Sequence, residues 1–369
     1  MTTLSRDSNP LFNRNRLKLG AFAFNGESTA RTLAPERFRL SWPNSLDVAE
    51  QAERLGFEVL VPFARFRSTV SAKHHSAVVY ENFTWSAAMA ATRSTCIMST
   101  VHVTNVHPVL AAKAVATIDH ISGGKFALNI VCGWFKEEAE MFGVTFLDHA
   151  GRYAYADEWI TAMKRLWAEE DEFDFIGKYV QVKGGVSQPK PIQKPFPPLM
   201  NAGSSPEGRE FVAKHCDIAF VRGDSEALMR TEAEAYRRTA RVKYGRELQV
   251  WAPCSVILGD TQKDAERILD HYADHADEEY LKSYFQYGKW DGGQSEAERR
   301  AAVRKYASTG NGLPLIGDAA TIADRMLRAA EAGIDGFLLT WVDFQNGVRR
   351  FGAEVLPLLE KAGVRAPVA

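Results

Sequence analysis

The chain has 369 residues, with 45 basic and 46 acidic side chains and a formal net charge of -1. At 46% hydrophobic residues it can bury a large core, which excludes disorder of the whole chain. Its balanced charge argues against bulk nucleic-acid binding, which needs a basic face. No apolar run reaches the roughly 18 residues that span a bilayer, and residues 1–15 lack the apolar core of a signal peptide. The four cysteines are widely spaced and form no CxxC pair, so neither a zinc ribbon nor a disulfide framework is expected. A reduced, soluble, cytoplasmic protein that needs neither nucleic acid nor membrane is the expectation.

No repeat of fixed period is present, but strand followed by helix recurs along the chain. After a polar arm (residues 1–16), an apolar strand is predicted over 17–24. A helix follows over 45–55, with Leu46, Ala49, Ala52 and Leu55 at helical spacing and Gly56 to end it. Strands are expected at 58–63, 96–104 and 125–132, separated by helices at 83–92 and 108–121. Pro108 suits the first turn of the second of these helices. The longest helix of the next segment is placed at 153–167, and a small hairpin at 173–182. Prolines at 189, 191, 195, 197 and 198 require an extended connection. The second half continues with strands at 199–202, 217–221, 249–258 and 336–341. Helices are expected at 207–215, 225–244, from 262, at 321–332 and at 348–360. Residues 278–312, polar and punctuated by glycine, read as an inserted loop or lid.

Eight short apolar strands alternating with helices predict a parallel sheet covered on both faces, and eight such units close a (β/α)8 TIM barrel within one domain, 1–369. An open doubly wound sheet is the competing fold, but residues 20–26 lack its GxGxxG turn. A barrel carries its active site at the C-terminal ends of the strands, so polar residues there are the ones to weigh.

Strand two ends at Phe63-Ala64-Arg65-Phe66, where an arginine between aromatics can hold a carboxylate, a phosphate or an electron-rich ring, or can simply be a surface arginine. On strand three, Thr100, His102 and Thr104 share a face. Asn129 interrupts the apolar strand four. Its amide offers both donor and acceptor, which suits the edge of a heterocycle, and Gly133 lets a flat ligand approach. Trp134 reads as core, and Glu137 and Glu138 as residues favoured by a helix dipole. The run Gly203-Ser204-Ser205-Pro206 can place helix N–H groups on phosphate oxygens or merely cap a helix, and Arg152, opening a helix with Tyr153, can add a cation. His74-His75 lie in a loop with no second ligand cluster at metal spacing, so no metal site is expected, and they read as substrate lid or plain surface. GxSxG, HExxH and P-loop signatures are absent.

Two segments carry a family resemblance: Ala116-Thr117-Ile118-Asp119-His120-Ile121-Ser122-Gly123-Gly124-Lys125-Phe126, and Asn129-Ile130-Val131-Cys132-Gly133-Trp134. Together they are similar to the bacterial-luciferase-like flavin monooxygenases, with the pyrimidine monooxygenase and dimethylsulfone monooxygenase branch nearest. The resemblance extends over about 17–359. It implies a TIM barrel with insertions that assembles as a homodimer or homotetramer. It also implies use of reduced FMN from a separate NAD(P)H:flavin reductase, O2 as oxidant and a small-molecule substrate. It assigns FMN contacts to Ala64, Arg65, Asn129, Glu138, Arg152, Tyr153 and Ser205. It assigns an oxygen pocket to Thr100 and Asn129, and with it a nucleophilic flavin-N5-peroxide that opens a C–N, C–S or C–halogen bond of a (hetero)aromatic, amide or sulfone substrate. Residues 32–43 and 66–79 depart from the pyrimidine enzymes, so uracil is not assumed. Phe63, Phe66, His74, His75, Trp85 and His102 are the expected substrate side. An F420-dependent oxidoreductase on the same barrel and a non-catalytic flavin-binding relative are the alternatives, and the Thr100–Asn129 pair favours the monooxygenase over the first.

Overall fold

The computed structural model describes residues 3–223, 225–286, 295–308 and 312–368. Eight parallel strands close on themselves: β1 (Lys18–Phe22), β2 (Val59–Val61), β3 (Cys96–His102), β4 (Phe126–Val131), β5 (Leu199–Asn201), β6 (Ile218–Phe220), β7 (Gln249–Leu258) and β8 (Gly336–Thr340). Each pairs with the next, and β8 returns to β1, so the fold is the barrel and not the open sheet. The hairpin Phe173–Ile176 with Gln181–Gly185 stands outside it.

Helices α1 (Trp42–Arg54), α2 (Asn82–Ala90), α3 (Pro108–Ile121), α4 (Lys136–Met141), α5 (His149–Ala168), α6 (Pro206–His215) and α7 (Glu226–Tyr244) cover the first six crossovers. Between β7 and β8 come α8 (Gln262–Asp274), α9 (Glu278–Gln286), α10 (Glu296–Ala307) and α11 (Ala319–Glu331), and α12 (Phe344–Arg350) follows β8. Helix starts follow their caps: the side chains of Ser205, Ser225 and Thr261 each accept from a backbone N–H of the first turn. The segment 278–312, expected as loop or lid, thus contains α9 and α10, and its residues 287–294 and 309–311 lie outside those described.

Three strands had no counterpart in the sequence pattern: the short parallel pair Leu4–Ser5 with Gln193–Lys194, and one strand at the rim of the barrel. Leu313–Gly317 pairs with the outer half of β7, Cys254–Leu258. That half has no neighbour on this side from β6, which pairs only with Gln249–Trp251. Pro314 and the flanking glycines make the segment look like a turn in one dimension. An open strand edge nevertheless recruits a partner in three.

Two layers of apolar side chains hold the barrel. The outer layer, between strands and helices, includes Leu19, Leu60, Ile97, Leu128, Val250 and Leu339. The inner one stacks Val59, Val61, Cys96, Met98, Met200, Ile218, Trp251 and Leu338. Its lower end is closed by the N-terminal arm. Leu11 packs into the inner layer, Asn9 Nδ2 donates to the Phe126 carbonyl at 3.1 Å, and Gln249 Nε2 donates to the Leu11 carbonyl at 2.8 Å. At that same end Arg365 donates to Glu58 at 2.8 Å with both side chains at most 2% exposed. Filling the base in this way closes the N-terminal end of the barrel.

The inner layer has no slack beside Trp251. A Cβ on Gly336 would stand 2.5 Å from the indole ring. Gly336→Ala is therefore expected to overpack the barrel and cost about 1–3 kcal/mol, seen as a lower urea midpoint with an unchanged slope.

Candidate active site

Because side chains alternate along a strand, Cys96, Met98, Thr100 and His102 of β3 share a face, and Cys96 and Met98 lie in the inner layer. Thr100 and His102 therefore rise above it toward the mouth, and Thr100 is registered beside Asn129 of β4. The Thr100 hydroxyl donates to the Pro62 carbonyl at 2.6 Å, and Asn129 Nδ2 donates to Thr100 Oγ1 at 3.2 Å. Asn82 donates its amide to the Thr100 carbonyl. With the hydroxyl proton committed to Pro62, Thr100 Oγ1 can only accept from Asn129, which fixes the orientation of that amide. Asn129 Oδ1 is left buried without a partner among the described residues, a state that costs about 1–3 kcal/mol unless a ligand donates to it.

Arg65 follows the end of β2. Its Nε and Nη1 are also buried without a partner among the described residues, and its guanidinium lies 5.7 Å from the Phe63 ring centroid and 5.4 Å from that of Trp134. Trp134 is not core, as its apolar strand context implied. It is 37% exposed and stacks on Phe135 at 5.3 Å, because the chain turns outward at Gly133 (φ +96). At that angle only a Cβ-free residue adopts the backbone without strain.

Glu138, on α4, is 1% exposed and gathers three donors. His102 Nδ1–H reaches Oε1 at 2.9 Å, Asn105 Nδ2 reaches the same oxygen at 3.3 Å, and the Phe66 N–H reaches Oε2 at 2.7 Å. Burial alone would raise the Glu138 pKa. The His102 bond and charge, the Phe66 N–H and the nearby Arg65 outweigh it and hold the carboxyl below its ordinary 4.5. A depressed folded value stabilises the fold above the ordinary pKa, and that contribution is lost as pH falls through the folded value. Glu138→Gln is expected to destabilise by about 1–3 kcal/mol at neutral pH. Its gap from the unsubstituted protein should narrow in urea melts taken below pH 4.5.

A second wall forms where the end of β5, α5 and α6 meet. Ser205 caps α6, accepts from the Gly208 N–H at 3.1 Å and meets His149 Nε2 at 2.8 Å. Arg152 Nη1 donates to the Leu147 carbonyl at 2.7 Å, its Nη2 lies 3.3 Å from His149 Nδ1, and its guanidinium stacks 4.6 Å from the Phe146 centroid. A Cβ on Gly203 would lie 2.5 Å from the Tyr153 hydroxyl, so Tyr153 fills the space against that turn. Burial pushes the Tyr153 phenol well above its ordinary pKa and keeps it a proton donor. A capped helix start, a cation and a phenol, groups of the kind that bind anions, lie together here.

The structure thus joins Thr100, Asn129 and His102 with Glu138, and Ser205 with Arg152 through His149. Ala64, 8% exposed, adjoins Arg65. The expected substrate side is not one surface. Phe66 is 38% exposed and meets Phe142 edge-on at 4.9 Å. Trp85 is 2% exposed and packs edge-on to Phe24 in the outer core, so it lines no open space. His74 and His75 bond to Asp277 and contact Tyr280, and none of their contacts among the described residues reaches Phe63 or His102.

Sequence reasoning missed His149, Asn82, Asn105 and Arg222. Arg222 sits two residues past β6 and lines a cavity of about 560 Å³ with Ser255, Leu269 and Tyr306. It makes no hydrogen bond or ion pair among the described residues. The arginine-at-a-strand-end signal that singled out Arg65 also applies there.

A barrel with these groups at its mouth meets its family in direct comparison. The luciferase-like monooxygenase family model matches residues 17–336, and the chain belongs to that family. It is 31% identical over 332 residues to an FMNH2-dependent dimethylsulfone monooxygenase of Pseudomonas putida, covering 88% of this chain and 90% of that one. It is 30% identical over 348 residues to the pyrimidine monooxygenase RutA of Bradyrhizobium sp. strain BTAi1, covering 90% and 94%. Among solved structures, DmoA from Hyphomicrobium sulfonivorans superposes with a TM-score of 0.81 at 23% identity, over 94% of this chain and 89% of that one, a likeness of fold. No described helix is long and apolar enough to cross a membrane.

Proposed function

We propose that the chain is the oxygenase half of a two-component system, with reduced FMN supplied by a separate NAD(P)H:flavin reductase. The named relatives support this, being FMNH2-dependent dimethylsulfone and pyrimidine monooxygenases that match nearly full length. Bound reduced FMN would supply the electrons that activate O2 for nucleophilic attack on an electron-poor carbon, with cleavage of a C–N, C–S or C–halogen bond. A cytoplasmic location and a homodimer or homotetramer belong to the same proposal and follow from the resemblance alone.

The donor set fits the cofactor. Asn129 Oδ1 and the Arg65 Nε and Nη1 are buried polar atoms that find no partner among the described residues, and such groups in native structures ordinarily meet a ligand or water. This coincidence of orphaned groups at one barrel mouth is the observation that carries the reading. Asn129 would accept from a flavin ring N–H, and Arg65 would donate to a ring carbonyl. Arg152, Tyr153, Ser205 and the start of α6 would hold the phosphate, opposite in charge to Arg152 and to the helix N-terminus.

The protein's own chemistry is positional. Thr100 and Asn129 would hold a fixed polar notch in the wall, a place for oxygen that needs no reorganisation. Glu138 binds His102 at Nδ1, which orients the ring and leaves Nε2 as the nitrogen able to accept a proton from a substrate. Arg222 and Ser255 line a cavity of about 560 Å³ whose walls include none of Arg65, Thr100, His102 or Asn129, so the substrate is not assigned to it.

The test is an anaerobic titration with reduced FMN followed by a pulse of O2, with absorbance recorded. Tight binding of reduced FMN and a slowly decaying oxygenated-flavin spectrum are expected. Failure to bind reduced FMN would overturn the reading and turn attention to F420.

A further inference from the structure

The flavin reading leaves one buried cluster unused. His74 and His75 lie on the connection between β2 and α2, and Asp277 lies between α8 and α9, about two hundred residues away in sequence. Both imidazole Nε2 atoms approach the same carboxylate oxygen, Asp277 Oδ2, at 2.9 and 2.8 Å. The other oxygen, Oδ1, accepts the Tyr280 N–H at 3.0 Å, which fixes the carboxylate. The three side chains are between 6% and 14% exposed, and the Tyr280 ring, itself 1% exposed, covers both imidazoles at 5.4 and 6.1 Å between centroids.

From this convergence we propose that His74, His75 and Asp277 form a divalent transition-metal site, with zinc as the ion the ligand set suits best. Two imidazoles and a carboxylate, with water in the fourth position, are a borderline-soft set characteristic of that ion. Bonds of about 2.1 Å in a tetrahedron place ligand atoms about 3.4 Å apart. The present 2.8 and 2.9 Å separations need to open by only about 0.5 Å. That motion is a small side-chain rotation, because Asp277 and the histidines stand on separate elements.

The proton balance also works. Each Nε2–H proton moves to Nδ1 when the metal takes the Nε2 lone pair. On His74 the Nδ1 stands 2.8 Å from Ser76 Oγ, which in turn bonds Ser68 Oγ at 2.6 Å, so a second-layer acceptor is in place once Nδ1 gives up the Ser76 N–H it now accepts at 3.2 Å. On His75 the Nδ1 has no partner among the described residues, so shifting the proton there breaks no bond. The ion would staple α9 to the β2–α2 connection. Thr69 and Ser283 make a second bond across that seam, at 2.8 Å. The cluster escapes motif searches because its third ligand comes from the far side of the sequence.

The experiment uses the full-length protein stripped by a chelator and titrated with zinc chloride in competition with a chromogenic chelator. One tightly held ion per chain is expected, together with a rise in melting temperature on adding zinc. His75→Ala and Asp277→Asn should each lose the ion and the rise. Should either variant fold poorly, cobalt(II) chloride added to the unsubstituted protein provides the second measurement, and intense visible bands of a tetrahedral site are expected. Absence of a held ion, a spectrum of hydrated cobalt only, or unchanged stoichiometry in well-folded variants would each overturn the site. None of these readouts depends on flavin binding or turnover.

Discussion

Asn129→Ala is expected to fold normally, retain reduced FMN in part, and lose about 10²-fold in product formed while O2 is still consumed and released as hydrogen peroxide. The magnitude is that of removing one preorganised polar group from a site where charge develops. The physical cause is specific to this barrel. Among the described residues Asn129 carries the only amide that reaches Thr100 Oγ1, at 3.2 Å, and its own Oδ1 is a buried acceptor without a partner there. Thr100→Val should behave alike for a complementary reason, since it leaves the Pro62 carbonyl and the Asn129 amide without their bonds. The measurement is the ratio of product to O2 consumed. Normal coupled turnover in both variants would sink the oxygen-pocket assignment and leave the flavin reading to be judged by titration.

Arg365→Ala is expected to produce the largest loss of stability, about 3–5 kcal/mol. Removing one partner of a buried pair strands the other charge. Glu58 is 2% exposed and receives Arg365 at 2.8 Å, Asn13 at 2.9 Å, Asn15 at 2.6 Å and the Leu19 N–H at 2.8 Å. Arg365 also donates to the Leu17 and Gly56 carbonyls, each at 2.8 Å. The network ties both ends of the chain to β1 and β2 at the base of the barrel, remote from the mouth. Chemical denaturation should show the loss, while flavin affinity per folded molecule stays unchanged. A variant that melts like the parent would mean that water, entering at the base, solvates Glu58.

Much of the barrel was legible in one dimension, for a local reason. Strand and helix periods, Ser225 and Thr261 as caps, and Gly56 (φ +68) after α1 all act within a few residues. The strand Leu313–Gly317 was not legible, because it exists to satisfy the free edge of β7, which no neighbour in sequence announces. Trp134 misled for the opposite reason. Its apolar strand predicted burial, but one positive-φ glycine turned the ring to the surface.

For the site the division is similar. By itself the sequence determined the kinds of group present at each strand end (Arg65, Thr100, His102, Asn129, Ser205) and the family they resemble, because those are matters of residue type and order. Only the tertiary structure decided which groups meet. It seated Glu138 on His102, put His149 between Ser205 and Arg152, withdrew Trp85 into the outer core and brought Asp277 to His74 and His75. Hydrogen bonds and burial reach only a few ångströms, so contacts between residues tens or hundreds of positions apart exist only once the barrel has closed and brought the strand ends to one mouth.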